Sequence, residues 1–129
     1  TLPGASVSDE FQASLVEIDP DLEDFSYAPE SYAAMVLLAL GAEAAGSECG
    51  VVIASKMVEV TSGGEKCTDF ESCKKLLDEG KDIDFDGQSG PIEFDANGDP
   101  SKATMGVYEY GENNKYEAID FIEGDVPQS

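Results

Sequence analysis

The chain has 129 residues, 41% of them hydrophobic, with 28 acidic side chains against seven basic ones and no histidine, for a net charge of −21. That length and apolar share suit one folded domain with a buried core, and are too apolar for a disordered acidic tail. A field of that sign repels phosphate backbones and anionic lipid, which excludes nucleic-acid binding, and the missing imidazole removes the commonest general base and transition-metal ligand.

Leu2, Pro3 and Gly4 predict a turn, and an opening without initiator methionine or basic leader reads as a processed piece. Ser6, with Asp9 three residues on, resembles a capping box that opens a helix ending before Pro20, with Phe11, Leu15 and Ile18 along one face. An acidic connector follows. Pro29 at a first helical position and Glu30 beside it start a second helix over 29–45, which stops at Gly46. Tyr32, Met35, Val36, Leu38, Ala39 and Leu40 cover most of its circumference, so this central helix is expected to be buried on more than one side. Its longest uncharged run, 31–42, falls short of the ~20 residues that cross a bilayer.

Residues 51–60 are rich in valine, which suits a strand, but Val52 or Ile53, Met57 and Val60 make a helical stripe and favour a helix. Residues 61–66 read as a Gly-Gly loop. Thr68 with Glu71 makes a second capping box, opening a short helix that turns Phe70, Cys73 and Leu77 inward and ends at Gly80.

Residues 82–100, DIDFDGQSGPIEFDANGDP, admit two readings. Asp82, Asp84 and Asp86 match calcium-loop positions one, three and five, with Gly87 at the sharp turn and Glu93 at the twelfth. Ser89 stands where an aliphatic residue belongs, however, and the glycine and proline after Phe94 break any helix that should follow. The favoured reading is therefore strand 82–85, bend 87–90, strand 91–94 and a bend at Asn97 and Gly98, with no metal ligand assigned. A calcium-binding protein using an EF-hand-like loop 82–93 is the alternative. Residues 104–110 and 115–122 then form a β-hairpin around a turn at 112–114, and 124–129 read as a frayed tail.

Cys67 and Cys73 flank the start of the fourth helix, close enough to be joined, and a disulfide there fits an exported, oxidised protein. Cys49 is left over, and three thiols without histidine do not make a zinc set. No nucleophile and base stand in a recognisable motif, so neither catalysis nor a cofactor is expected.

The runs SYAAMVLLALGAEAAGS, VTSGGEKCTDFESC, DIDFDGQSGPIEFDANGDPSKATMGVYEY and NNKYEAI together resemble the C-terminal part of a type I periplasmic, branched-chain amino-acid binding protein of ABC transporters. The Cys-flanked short helix is similar to actinobacterial forms. The resemblance spans about residues 2–119, and its most specific part runs from Gly87 through Gly90, Phe94 and Gly98 to Asp99. It implies an α/β fold, the C-terminal portion of a two-lobed receptor. Residues 1–81 would supply the helical part of one lobe, 82–100 hinge-side turns and short strands, and 101–123 a terminal hairpin of the other lobe. It further implies an amino acid or related small molecule as ligand, an ABC permease as partner, and an extracytoplasmic location with a lipid anchor on an upstream segment. Tyr32, or its neighbour Ser31, occupies the place where the family often points a residue at the cleft; a tyrosine there could stack on or hydrogen-bond a ligand, but packing in the core is the favoured role. Much of the ligand pocket would lie on the upstream lobe, so the isolated piece is expected to bind amino acids weakly or not at all and to expose apolar surface suited to a homodimer.

Overall fold

The computed structural model describes residues 2–3 and 7–126. A two-residue strand, β1 (Leu2–Pro3), stands where a turn was expected, and Gly4 lies outside the described residues. Helix α1 (Asp9–Ile18) is capped by Ser8, whose hydroxyl accepts the Phe11 N–H at 3.2 Å, while the expected cap, Ser6, lies outside the described residues. Phe11 is buried, but Ile18 at the far end is 84% exposed, so only the first half of the predicted face finds a partner.

Helix α2 (Ala28–Ala45) follows Tyr27, which sits in the left-handed region at φ 63° and accepts the Ser31 N–H on its carbonyl. It ends at Gly46, φ 57°, whose N–H bonds the Ala42 and Glu43 carbonyls. Pro29, Ala33, Val36, Leu37, Leu40 and Gly41 are buried, a single stripe at helical spacing. Met35 is 67% exposed and Leu38 52% exposed, which corrects the expectation of burial on several sides. The sheet meets only one flank of the helix, and no further layer among the described residues covers the other.

Helix α3 (Gly50–Ala54) is only the first half of the expected helix over 51–60. The Ser55 hydroxyl donates to the Val52 carbonyl at 2.7 Å, a local bond that competes with helix continuation, and a series of turns then delivers Val60 and Thr61 to the interior.

Strand β2 (Glu65–Cys67) occupies part of the expected loop. It leads into α4 (Phe70–Asp78) and on to β3 (Ile83–Gly87), which pairs parallel with β2, Cys67 opposite Phe85. The cap of α4 is Asp69, not Thr68: its carboxylate accepts the Ser72 N–H at 2.9 Å. Strand β3 alternates strictly, with Ile83 and Phe85 at 1% and 0% exposure and Asp84 and Asp86 on the other face. A tight bend returns it antiparallel as β4 (Gly90–Pro91), giving the order β2-β3-β4. The expected strand 91–94 survives only at its first residue and as a bridge from Phe94 to Pro100.

Helices α2 and α4 close over β3, and the core is Ala33, Val36, Leu37, Leu40, Val60, Cys67, Cys73, Ile83 and Phe85. Buried Thr61 is satisfied by donating to the Met57 carbonyl at 2.9 Å.

Strands β5 (Lys102–Tyr110) and β6 (Tyr116–Asp125) form the expected hairpin around a 3-10 turn at Glu112–Asn114, and β1 lines the other edge of β5. Gly124 and Asp125 pair with Ala103 and Lys102, so the tail is structured that far, and 127–129 lie outside the described residues. A bulge between Val107 and Tyr108 bends the ribbon. The Tyr108 ring covers Gly106, where a Cβ would stand 2.5 Å from it, and meets Tyr116 edge to face at 5.4 Å. Among the described residues no helix is long and apolar enough to cross a membrane.

Candidate functional site

The first turn of α1, the N-terminal part of α2 and the bend between β3 and β4 enclose an open groove of about 310 Å³, lined by Ser8, Glu10, Phe11, Ser14, Tyr32 and Gln88. Helical spacing sets three of its members: Glu10 and Ser14 are four apart, and Phe11 lies between them toward the interior. Tyr32, 38% exposed, meets the Phe11 ring edge to face with centroids 5.4 Å apart and planes at 63°. The two rings form the groove's apolar corner. The serine hydroxyls are occupied by the helix itself, Ser8 as cap and Ser14 donating to the Phe11 carbonyl at 2.7 Å. Recognition there falls to the Glu10 carboxylate, the Gln88 amide and the Tyr32 ring and hydroxyl.

Of the two residues singled out from sequence, Tyr32 lines this groove and Ser31 does not. Ser31 is exposed on the adjoining side of α2. Glu10, Phe11 and Gln88 escaped the sequence reading. Phe11 was legible only as a core residue, and nothing in the local pattern marks Gln88, which a bend carries there from 56 residues beyond Tyr32.

The acidic stretch from Asp82 to Glu93 does not form a calcium loop between helices. Asp84 and Asp86 sit on an extended strand, where successive same-face side chains are spaced roughly 6.6–6.8 Å apart. Lys66 of β2 lies between them, its Nζ 3.0 Å from Asp84 Oδ2 and 2.7 Å from Asp86 Oδ2. Bonds to Asp86 first and Asp84 second hold the lysine's pKa above its ordinary value. Glu93 instead accepts the Ser101 hydroxyl at 3.3 Å, and no three Asp, Glu or Cys side chains converge to hold an ion among the described residues. The calcium reading is corrected for that reason: in place of a loop curled around a cation stand an extended strand, whose two aspartates share one lysine, and a tight bend.

The bend after Phe94 has its own cause. Asp95 Oδ1 accepts the N–H groups of Asp99 at 2.9 Å and Asn97 at 2.8 Å, the first of which does most to depress the carboxyl's pKa, and Gly98 takes φ 86°.

Cys67 and Cys73 are joined, with S–S 2.03 Å and Cα atoms 5.3 Å apart, stapling the end of β2 to the second turn of α4 inside the core, and Cys49 is exposed and free.

A β-α-β crossover with helices packed on it and an open, mixed polar and aromatic groove beside the central helix defines an α/β ligand-binding unit. The family described as "Receptor family ligand binding region" matches residues 7–113, and the chain belongs to it, the type I periplasmic-binding-protein class of ligand-binding regions. No curated protein and no solved structure matches the chain. The family is one of ligand-binding receptor regions.

Proposed function

We propose that the chain is the C-terminal portion of an extracytoplasmic solute receptor of the branched-chain amino-acid type. In this reading it delivers an amino acid or similar small polar solute to an ABC permease. The carrying observation is the groove at the N-terminal end of the core helix, with Tyr32 exposed in it, within a span that belongs to a ligand-binding family. Residues 82–100 act as hinge-side turns, and the hairpin of β5 and β6 belongs with the opposite lobe. The exposure of every residue of β6 supports this, because a strand of the opposite lobe would find its covering layer there. Cleft closure between lobes then couples ligand to permease.

The buried disulfide supports an oxidising compartment, periplasmic or cell-surface. A lipid anchor on an upstream segment belongs to the same proposal. Apolar side chains exposed along α2 and β6, Met35, Leu38, Phe121 and Ile122 among them, support self-association of the isolated chain.

Scattering from the product of the full reading frame tests the proposal. A second α/β lobe, an export signal and compaction on adding amino acid are expected. A reading frame with neither lobe nor signal overturns it.

A further inference from the structure

The groove beside Tyr32 has a one-sided chemistry. Among the described residues that line it, the only charged group is the Glu10 carboxylate, set beside an amide and the corner of two aromatic rings. The chain before Lys56 contains no basic residue at all, so α1 and α2 bring only acids to the groove's rim. A ligand carboxylate placed there would meet Glu10 and the field of the whole chain without a counter-charge. An ammonium would meet the opposite: a carboxylate to pair with and the exposed Tyr32 ring, an aromatic that attracts cations.

We propose that this groove takes the positively charged, amine-bearing end of its ligand and that the acidic field around it favours solutes of net positive charge, such as diamines or basic amino acids, over zwitterionic branched-chain ones that offer only an α-ammonium. The inference rests on the reading that the groove is the ligand site. Glu10 supplies the charge partner, Tyr32 and Phe11 the aromatic corner, and Gln88 an acceptor at the open end. Any ligand carboxylate is met outside this groove.

Titration of the isotope-labelled chain with putrescine, L-lysine, L-leucine and glutarate, at fixed ionic strength and followed by amide NMR, tests this. Putrescine and L-lysine should shift the Glu10, Tyr32 and Gln88 signals saturably at millimolar concentration, leucine more weakly, and glutarate not at all. Glu10→Gln should weaken putrescine about fivefold, and Tyr32→Leu about threefold, while Tyr32→Phe keeps the affinity. Leucine or glutarate saturating the same signals as tightly as putrescine overturns the cation assignment and leaves the solute-binding reading standing. Shifts spread over the acidic surface without saturation in the groove also overturn the cation assignment. Silence of the groove toward all four solutes overturns the cation assignment, while the solute-receptor reading is decided on the full reading-frame product.

Discussion

Gly64 lies against the backbone of Ile83 so closely that a Cβ on it would stand 2.4 Å from the Ile83 nitrogen and carbonyl carbon. The parallel pairing of β2 with β3 begins at that contact, with Glu65 opposite Ile83. Neither partner is a flexible side-chain end, so the approach admits no larger residue. Gly64→Ala should therefore destabilise the fold by about 1–3 kcal/mol, as overpacking does. Gly50→Ala, with nothing within 4 Å at the start of α3, should be neutral or slightly stabilising. Urea denaturation of the two variants checks the contrast, and equal effects would contradict the close approach.

The Cys67 and Cys73 bridge spans six positions and buries both sulfurs, at 5% and 0% exposure. A loop that short should contribute about 2 kcal/mol by limiting the unfolded chain. The double alanine variant should lose that amount and a little more from the core volume removed. Unchanged stability under strong reductant would show that packing of β2, α4 and β3 alone holds the segment.

Asp69 caps α4, and its carboxyl is held below the ordinary carboxylate pKa chiefly by the Ser72 backbone N–H and then by the Ser72 hydroxyl. A depressed folded-state pKa means the stabilisation is present above the unfolded value and is lost as pH falls through the folded one. Asp69→Ala should cost about 1 kcal/mol at neutral pH and progressively less in acid. Asp69→Asn should retain the cap. A pH series of melting curves on the parent chain and the two variants reads this directly. A gap between the parent and Asp69→Ala that stays constant down to strong acid would contradict it.

With a net charge of −21, self-repulsion opposes the compact state. Sodium chloride should raise the melting temperature over the range where the screening length falls from about 30 to about 3 Å. Because Lys66 already bridges Asp84 and Asp86, calcium and magnesium at equal ionic strength should give the same rise. A calcium-specific increase would reopen a metal site in the 82–93 stretch.

Local chemistry was readable where one residue type has one job. Pro29 and Gly46 bracket the long helix, and the alternation of Ile83 and Phe85 with Asp84 and Asp86 gives the central strand. Asn97 with Gly98 marks the bend, and the cysteine spacing marks the staple. The readings that failed were decided by tertiary contact. Whether Met35 and Leu38 are buried depends on what stands opposite α2, not on their own hydropathy, and β2 exists only because β3 pairs with it. The cap of α4 stands one residue on, at Asp69 in place of Thr68, and α1 is capped by Ser8; where serine, threonine and aspartate stand close together, each can start the helix one residue apart. In the groove, Tyr32 was visible as an aromatic at the start of a core helix. Glu10 and Gln88 come from segments that only folding brings beside it.

Calorimetric titration of amino acids and small amines into the full reading-frame product, in parallel with its Tyr32→Ala variant, tests the ligand-binding assignment most directly. One saturable site is expected, with affinity lowered tenfold or more in the variant, roughly 1.4 kcal/mol or above, and the melting temperature of the unliganded protein little changed. Absence of binding to any of these solutes, or binding indifferent to Tyr32, would contradict it.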